Sequence, residues 1–293
     1  MRAGHGATED VPLVSVVIAT YNWSSVLRFA IRSALAQTYP RVEVIAVGDA
    51  CTDDSEQVAA SFGDPRVRWH NLAENSGSQS LPNNAGIELA RGEYVAYLGH
   101  DDVWLPSHLS LVMRALARKD ADLGYAVTEQ IGPPGSRYRE LVGHSPLGGY
   151  RPGQLIKPSA IVHRKSLVDE IGPWRDYRTI SEMPDTEFVE RAHLAGMRFV
   201  GSNALTVFKF NSAMRPGSYV EKPCHEQAAY TQRIEAGRGF LAREYAALTI
   251  ALARGLVRPR KSRLQTGQAA LPPDPVPPGW RVKQLRRIRG LEP

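Results

Sequence analysis

The sequence predicts an α/β protein: a mostly parallel sheet flanked by helices, with a helical extension towards the C-terminal end. Three observations carry this. Leu13–Ile18 (LVSVVI) and Val42–Val47 (VEVIAV) are continuous apolar, β-branched runs, the pattern of strands buried on both faces. Apolar stripes at helical spacing lie between such runs. Strand and helix then alternate four times in the first hundred residues, which argues a parallel sheet with helices on both faces.

The first strand ends in Ala19-Thr20-Tyr21-Asn22, and Ser24 or Ser25 is placed to cap the helix that follows. Leu27, Ala30, Ile31, Ala34 and Leu35 form that helix's stripe, and Pro40 stops it. The second strand ends at Gly48-Asp49-Ala50, before a short helix from about Asp53. Arg66–His70 is a third strand. Ser80 opens a helix with Pro82 in its first turn, where proline is tolerated, and Gly92 closes it. Glu93–Leu98 is the fourth strand; it breaks at Gly99 and delivers His100, Asp101 and Asp102 at its carboxyl end.

A helix from Pro106 to about Lys119 follows, then a strand at Asp122–Ile131. Gly132–Gly153 is rich in Gly, Pro and Ser and reads as a long surface loop. Leu155–His163 reads as a strand running into a helix at Lys165–Ile171, and Thr179–Pro184 as a loop. Asp185–Ala195 is a helix with Phe188, Ala192 and Ala195 on one side; Met197–Val200 and Leu205–Phe210 are two late strands. Glu221–Val257 has helical composition and packs on the body or on a second copy of the chain. The resulting organisation is a disordered leader (1–10), one domain (11–220), a helical segment (221–260) and a mobile, Pro-rich basic tail (261–293).

Composition excludes several function classes. Two cysteines far apart, Cys51 and Cys224, give neither a disulfide framework nor a zinc site, and suit a reducing, cytoplasmic compartment. No apolar run approaches a membrane span. The net charge of +6 is concentrated at one end: from Arg254 onward ten basic residues face two acids, a balance of +8, which leaves −2 for the rest. The body is therefore no nucleic-acid surface by charge. The basic tail is either a solvated end or a peripheral contact with anionic lipid at the inner face of a membrane. The glycine-rich dinucleotide fingerprint and the Walker loop are both absent, which disfavours dehydrogenases and P-loop enzymes.

In open parallel sheets ligands bind outside the carboxyl ends of the strands. Three such ends carry suitable side chains: Thr20-Tyr21, Asp49, and Asp101-Asp102. Adjacent carboxylates repel one another in a partly dry cleft, and a divalent cation relieves that repulsion while also taking substrate phosphates. The competing reading is that Asp101 and Asp102 merely cap the next helix.

The runs VSVVIATYN, VIAVGDACTDDS, ENSGSQSLPNNAGIELARGEYVAYLGHDDVWLP and DTEFVERAHLAG, in this order, resemble the family 2 glycosyltransferases of the GT-A fold, over roughly Val14 to Val200. The resemblance implies a Rossmann-like nucleotide-diphospho-sugar transferase fold, a nucleotide-sugar donor (a UDP-sugar by default), Mn²⁺ or Mg²⁺, and transfer with inversion to a glycan, lipid-linked or small-molecule hydroxyl. It sets Thr20 and Tyr21 against the donor's base and Asp49 as acceptor of a base N–H. It sets Asp101 and Asp102 at the nucleotide and the metal, with Asp102 as the direct ligand, and Asp185 as the general base. The chain departs from the family where Gly48 precedes Asp49, where Gly99-His100 replaces an acid, where Asn83 replaces an arginine and where Pro184 precedes the base. His100 is then either a substitute ligand or a plain polar neighbour. Asp185 is either the base or a helix cap, with Glu182 and Glu187 as alternatives to it as base. Trp104 reads as core, His163 as a satisfied interior histidine, and Trp174 as either a cleft border or a plug. Gly99 and Pro184 motivate a second function, a nucleotide-sugar-binding protein with little catalysis. A nucleotidyltransferase ranks last, because Ala19 to Ser25 lacks a phosphate loop.

Overall fold

The computed structural model describes residues 11–136, 138–145, 148–237, 239–253 and 273–292. The expected leader (1–10) and the start of the tail lie outside them. The elements are β1 (Val14–Thr20), α1 (Ser24–Leu35), β2 (Val42–Gly48), α2 (Ser55–Ala60), β3 (Val67–Asn71), α3 (Ser80–Leu89), β4 (Tyr94–Tyr97), β5 (Asp102–Trp104), α4 (His108–Lys119) and β6 (Leu123–Ile131). There follow β7 (Arg139–Val142), β8 (Ile161–Arg164), α5 (Leu167–Ile171), α6 (Pro184–Leu194), β9 (Phe199–Phe210), α7 (Ser218–Glu221), α8 (His225–Glu235), α9 (Phe240–Ala253) and α10 (Trp280–Arg289).

One sheet runs in the order β3-β2-β1-β4-β8-β6-β9-β5, with β7 paired to β6. Its first four strands are parallel, as the alternation predicts. Beyond β4 it is mixed: β8 is antiparallel to β4 and β6, β9 is parallel to β6, and β5 is antiparallel to β9. β1 and β2 are buried along nearly their whole length, which explains why neither alternates in sequence. The helix α3 lies so close that a Cβ at Gly86 would stand 2.3 Å from Val17 Cγ1; only glycine allows that approach. The serines at the head of α1 cap nothing. Its first N–H, that of Ser24, donates instead to Asp53 Oδ2 at 3.0 Å, so the loop after β2 caps the helix after β1.

Four expectations need correction. The expected loop Gly132–Gly153 contains β7, drawn onto β6 by Arg139, whose guanidinium bonds the buried carboxylates of Glu129 and Glu244. The two late strands are one, β9, with a register shift where Asn203 takes a positive φ of 53°. The expected strand from Leu155 narrows to β8, because Pro158–Ala160 is a 3₁₀ turn. The tail from 261 onward, expected to be mobile, carries α10, bounded by Gly279 and Gly290, both left-handed. Val282 of α10 is buried, and Arg286 Nη1 donates to the Gly77 carbonyl at 2.9 Å.

The segment expected to pack on the body or on a partner packs on the body. Tyr230 of α8, and Phe240 and Leu248 of α9, join Val103, Val127, Phe208 and Phe210 in a second apolar cluster beside the main core. Among the described residues no helix is long and apolar enough to cross a membrane.

Candidate active site

The parallel register fixes one edge. Thr20 pairs with Gly48 and Val17 with Tyr97, so β1, β2 and β4 end side by side. Outside those ends lies a cleft of about 780 Å³, within the range of small-ligand sites. Thr20, Tyr21, Asp49, Asp101 and Asp185 all line it; the sheet edge and the start of α6 bring together five of the six residues the sequence singled out.

Asp49 is buried and does more than line the wall. Oδ1 accepts from Ser76 N at 2.8 Å; Oδ2 accepts from Gly77 N at 3.1 Å and Asn75 Nδ2 at 3.2 Å. Burial pushes its pKa up, against those hydrogen bonds. Three of about four acceptor positions on this carboxylate are thus used to hold the 75–77 loop.

His100 proves to be a polar neighbour. Nδ1 is 2.7 Å from Thr20 Oγ1 and Nε2 is 3.0 Å from Tyr219 Oη, while Trp23 meets both aromatic rings edge-on. Burial lowers the His100 pKa, and the ring bridges the two hydroxyls.

The two adjacent carboxylates part company. Asp101 lines the cleft. Burial works to raise its pKa, but Lys209, His100 and Arg289 outweigh burial and hold it low. Asp102 lies beneath, 0% exposed, and begins β5, where the register sets it opposite Lys209 of β9. Its Oδ2 accepts from Ser159 Oγ at 2.5 Å and from Lys209 Nζ at 2.9 Å; Oδ1 is buried with no partner among the described residues. Burial pushes Asp102 up to about 6 against the pull of Lys209.

The side chains around Asp102 are a poor fit for the expected Mn²⁺ or Mg²⁺. Asp102 is already paired with an ammonium and fully buried, Gly99 supplies no carboxylate, and both nitrogens of His100 are engaged. A Cβ at Gly99 would stand 2.8 Å from Asp102 Oδ2, so no acid fits there as the chain is packed. Among the described residues no group of three or more His, Cys, Asp or Glu side chains converges as a metal site. Asp101 is the one carboxylate of this pair that lines the cleft.

Asp185 sits at the second position of α6, after Pro184 in the first turn, where proline belongs. No side chain caps this helix. Asp185 is 6% exposed, and its Oδ1 is buried with no hydrogen-bond partner among the described residues. Lys157 lines the same cleft; burial lowers its pKa while Asp185 opposes that shift. The alternatives place elsewhere: Glu187 is paired with Arg191, and Glu182 with Arg281. Trp174 is a plug, stacked on Phe188 at 4.5 Å with Nε1 donating to Tyr97 Oη at 2.9 Å. His163 receives or gives the Tyr97 hydroxyl contact at 2.8 Å, and Trp104 is core, as read.

Sequence reasoning missed Lys157, Lys209, Tyr219 and Arg289. Val282, Leu285 and Ile288 at three-residue spacing, between Gly279 and Gly290, were a legible helix signal for the element that carries Arg289.

The family model described as Glycosyl transferase family 2 matches residues 15–167 of the 293. An uncharacterized glycosyltransferase of Rickettsia prowazekii (strain Madrid E) is 40% identical over 124 residues, covering 41% of this chain and 38% of that one. Succinoglycan biosynthesis protein ExoO of Rhizobium meliloti (strain 1021) is 41% identical over 115 residues, covering 39% and 32%. The matches thus span about a third of the length of these relatives, or slightly more. The crystal structure of S. aureus TarS 1–349 in complex with UDP-GlcNAc superposes with a TM-score of 0.58 at 18% identity, over 94% of this chain and 81% of that one; it shares the fold. With the family model matching just over half its length, the chain belongs to glycosyl transferase family 2.

Proposed function

We propose that the chain transfers a sugar from a nucleoside-diphosphate donor to an acceptor hydroxyl in one displacement, with inversion, and that Asp185 is the general base. The observation that carries this is Asp185 itself: a carboxylate in the cleft wall, capping nothing, its Oδ1 without a hydrogen-bond partner among the described residues. An acceptor hydroxyl is a poor nucleophile until a base within hydrogen-bond reach takes its proton. As Asp185 takes it, the hydroxyl oxygen bonds the anomeric carbon. The bond from that carbon to the diphosphate oxygen breaks, and its electron pair leaves with the diphosphate. One base and no covalent intermediate give inversion.

The donor's base is assigned to the end of the cleft at Tyr21, Thr20 and the loop held by Asp49, and the diphosphate to the neighbourhood of Asp101. A uridine donor is the reading supported by likeness, since two of the TarS structures are complexes, with UDP and with UDP-GlcNAc. A glycan acceptor is supported in the same way, because relatives bear names of succinoglycan and teichuronic acid biosynthesis.

The test is Asp185→Asn, assayed for transfer or donor hydrolysis and, by calorimetry, for donor binding. The variant is expected to bind the donor as the parent does and to lose turnover by roughly 10²–10⁴-fold, the range for general-base removal. Turnover at the parent rate removes Asp185 from the mechanism. Tight donor binding by the parent, with no turnover across an acceptor panel, favours the binding-protein alternative.

A further inference from the structure

The helix α10 roofs the cleft. Trp280, Val282, Leu285, Arg286, Ile288 and Arg289 face it. Arg286 fastens the helix to the cleft's own wall, its Nη1 donating to the Gly77 carbonyl at 2.9 Å, while its Nε donates to Glu292, just past the end of α10, at 2.5 Å. Gly77 belongs to the loop that Asp49 holds. The roof therefore rests on the same short segment that shapes the base end of the cleft. With α10 in place the cleft still measures about 780 Å³, so the helix covers the site without filling it.

Two cations are presented there from different elements. Lys209, on β9, is 19% exposed at its side chain, lines the cleft, and is bonded on its inner side to Asp102. Arg289, on α10, lies with its guanidinium carbon 5.8 Å from the centroid of the Tyr219 ring, and its Nε is buried with no hydrogen-bond partner among the described residues. Tyr219 in turn holds His100, so Arg289 is positioned over the GHDD turn at the end of β4. The charges of Lys209 and Arg289 both act on Asp101.

Resting on the donor reading above, we infer that Lys209 and Arg289 form a fixed cationic clamp for the donor's diphosphate, and that this clamp neutralises the leaving group in place of a divalent metal ion. The chemistry of each fits its half of the task. Guanidinium presents a planar fork of N–H donors that matches phosphate oxygens, and a buried Nε without a partner is a donor in need of an acceptor. An ammonium held by a buried carboxylate is a point charge that does not have to be ordered when substrate arrives. Charge placed beforehand where negative charge develops lowers the barrier for the leaving diphosphate. Gly99, read as a lost metal ligand, becomes intelligible: the Asp102–Lys209 pair occupies the space an acid there would need.

The test uses the full chain and measures affinity for UDP, GDP and dTDP by calorimetry, in EDTA and in excess Mn²⁺. The variants are Arg289→Gln, Arg289→Lys and Arg287→Gln, the last removing an exposed charge from the same helix. Melting curves confirm that each folds. The best-bound nucleotide is expected to bind in EDTA within about threefold of its affinity with Mn²⁺. Arg289→Gln is expected to weaken it roughly 10–100-fold, as loss of a charge-assisted hydrogen bond does, with Arg289→Lys in between and Arg287→Gln near the parent. Binding that needs Mn²⁺ overturns the clamp and leaves the donor reading standing. Equal affinities for Arg289→Gln and Arg287→Gln overturn it as well. No nucleotide binding in either condition overturns both.

Discussion

Gly99→Ala tests the packing on which the site depends. The new Cβ would lie 2.8 Å from Asp102 Oδ2, closer than real Cβ contacts come, and 3.2 Å from Asp102 Cγ, tighter than most of them. Asp102 has no room to yield. It is fully buried, and the same Oδ2 holds Ser159 Oγ at 2.5 Å and Lys209 Nζ at 2.9 Å. Turning the carboxylate away breaks at least one of these, and losing a hydrogen bond to a charged group costs about 1.5–3 kcal/mol. In a chain of this size, about 2 °C of melting temperature corresponds to each kcal/mol, which gives a fall of roughly 3–6 °C. Gly149→Ala is the control, because a Cβ there meets nothing within 4 Å, and a surface change of that kind stays within about 0.5 kcal/mol. Denaturant titration and thermal melts of both variants decide the matter. Should Gly99→Ala prove as stable as Gly149→Ala, the tight packing of the GHDD turn around Asp102 is wrong.

Two further outcomes follow from the buried charges. Lys209→Met leaves Asp102 buried without its partner and should cost about 3–5 kcal/mol in denaturant titration; adding Asp102→Asn should recover at least ~1 kcal/mol, and a strictly additive pair contradicts the bridge. Burial pushes Glu129 up to about 7 from an ordinary 4.5, against the attraction of Arg139. A folded-state pKa above the unfolded one means a contribution to stability that is full below about 4.5 and lost as pH rises through about 7, with a slope of at most ~1.4 kcal/mol per pH unit. Stability measured near pH 5 and near pH 7 should therefore differ less in Glu129→Gln than in the parent. Asp102, raised in the same direction, keeps some of that slope, and identical slopes in the two proteins would contradict the buried-carboxylate account.

The parallel half of the fold was legible because each of its strands is buried by helices and must be apolar throughout, as Val14–Thr20 and Val42–Gly48 are. Thr20, Tyr21, Asp49 and Asp101 were legible for a related reason: polar residues that end such strands have only the sheet edge to occupy. The far half was legible only in part: β6, α4 and α6 fall where expected, but the mixed pairing of the strands does not show in the sequence. β5 is three residues long, too short to carry a period, yet its pairing with β9 buries Asp102 and sets it against Lys209. Nothing local to Lys209 signals a partner more than a hundred residues earlier in the chain. In α10, five Lys and Arg residues among ten masked an apolar stripe, and a prolonged run of prolines before it suggested a mobile end. The helix holds its place through contacts made far from it in sequence, at Gly77 and Tyr219.

The most direct measurement is a crystal structure of the full chain with the nucleoside diphosphate that binds best. The account predicts the base beside Tyr21 and the loop held by Asp49, the diphosphate between Lys209 and Arg289 with α10 still in place, and Asp185 facing the position where the anomeric carbon would stand. A nucleotide bound instead in the smaller cleft between Arg91 and Lys165, or a diphosphate that meets Asp102 directly after displacing Lys209, would contradict it.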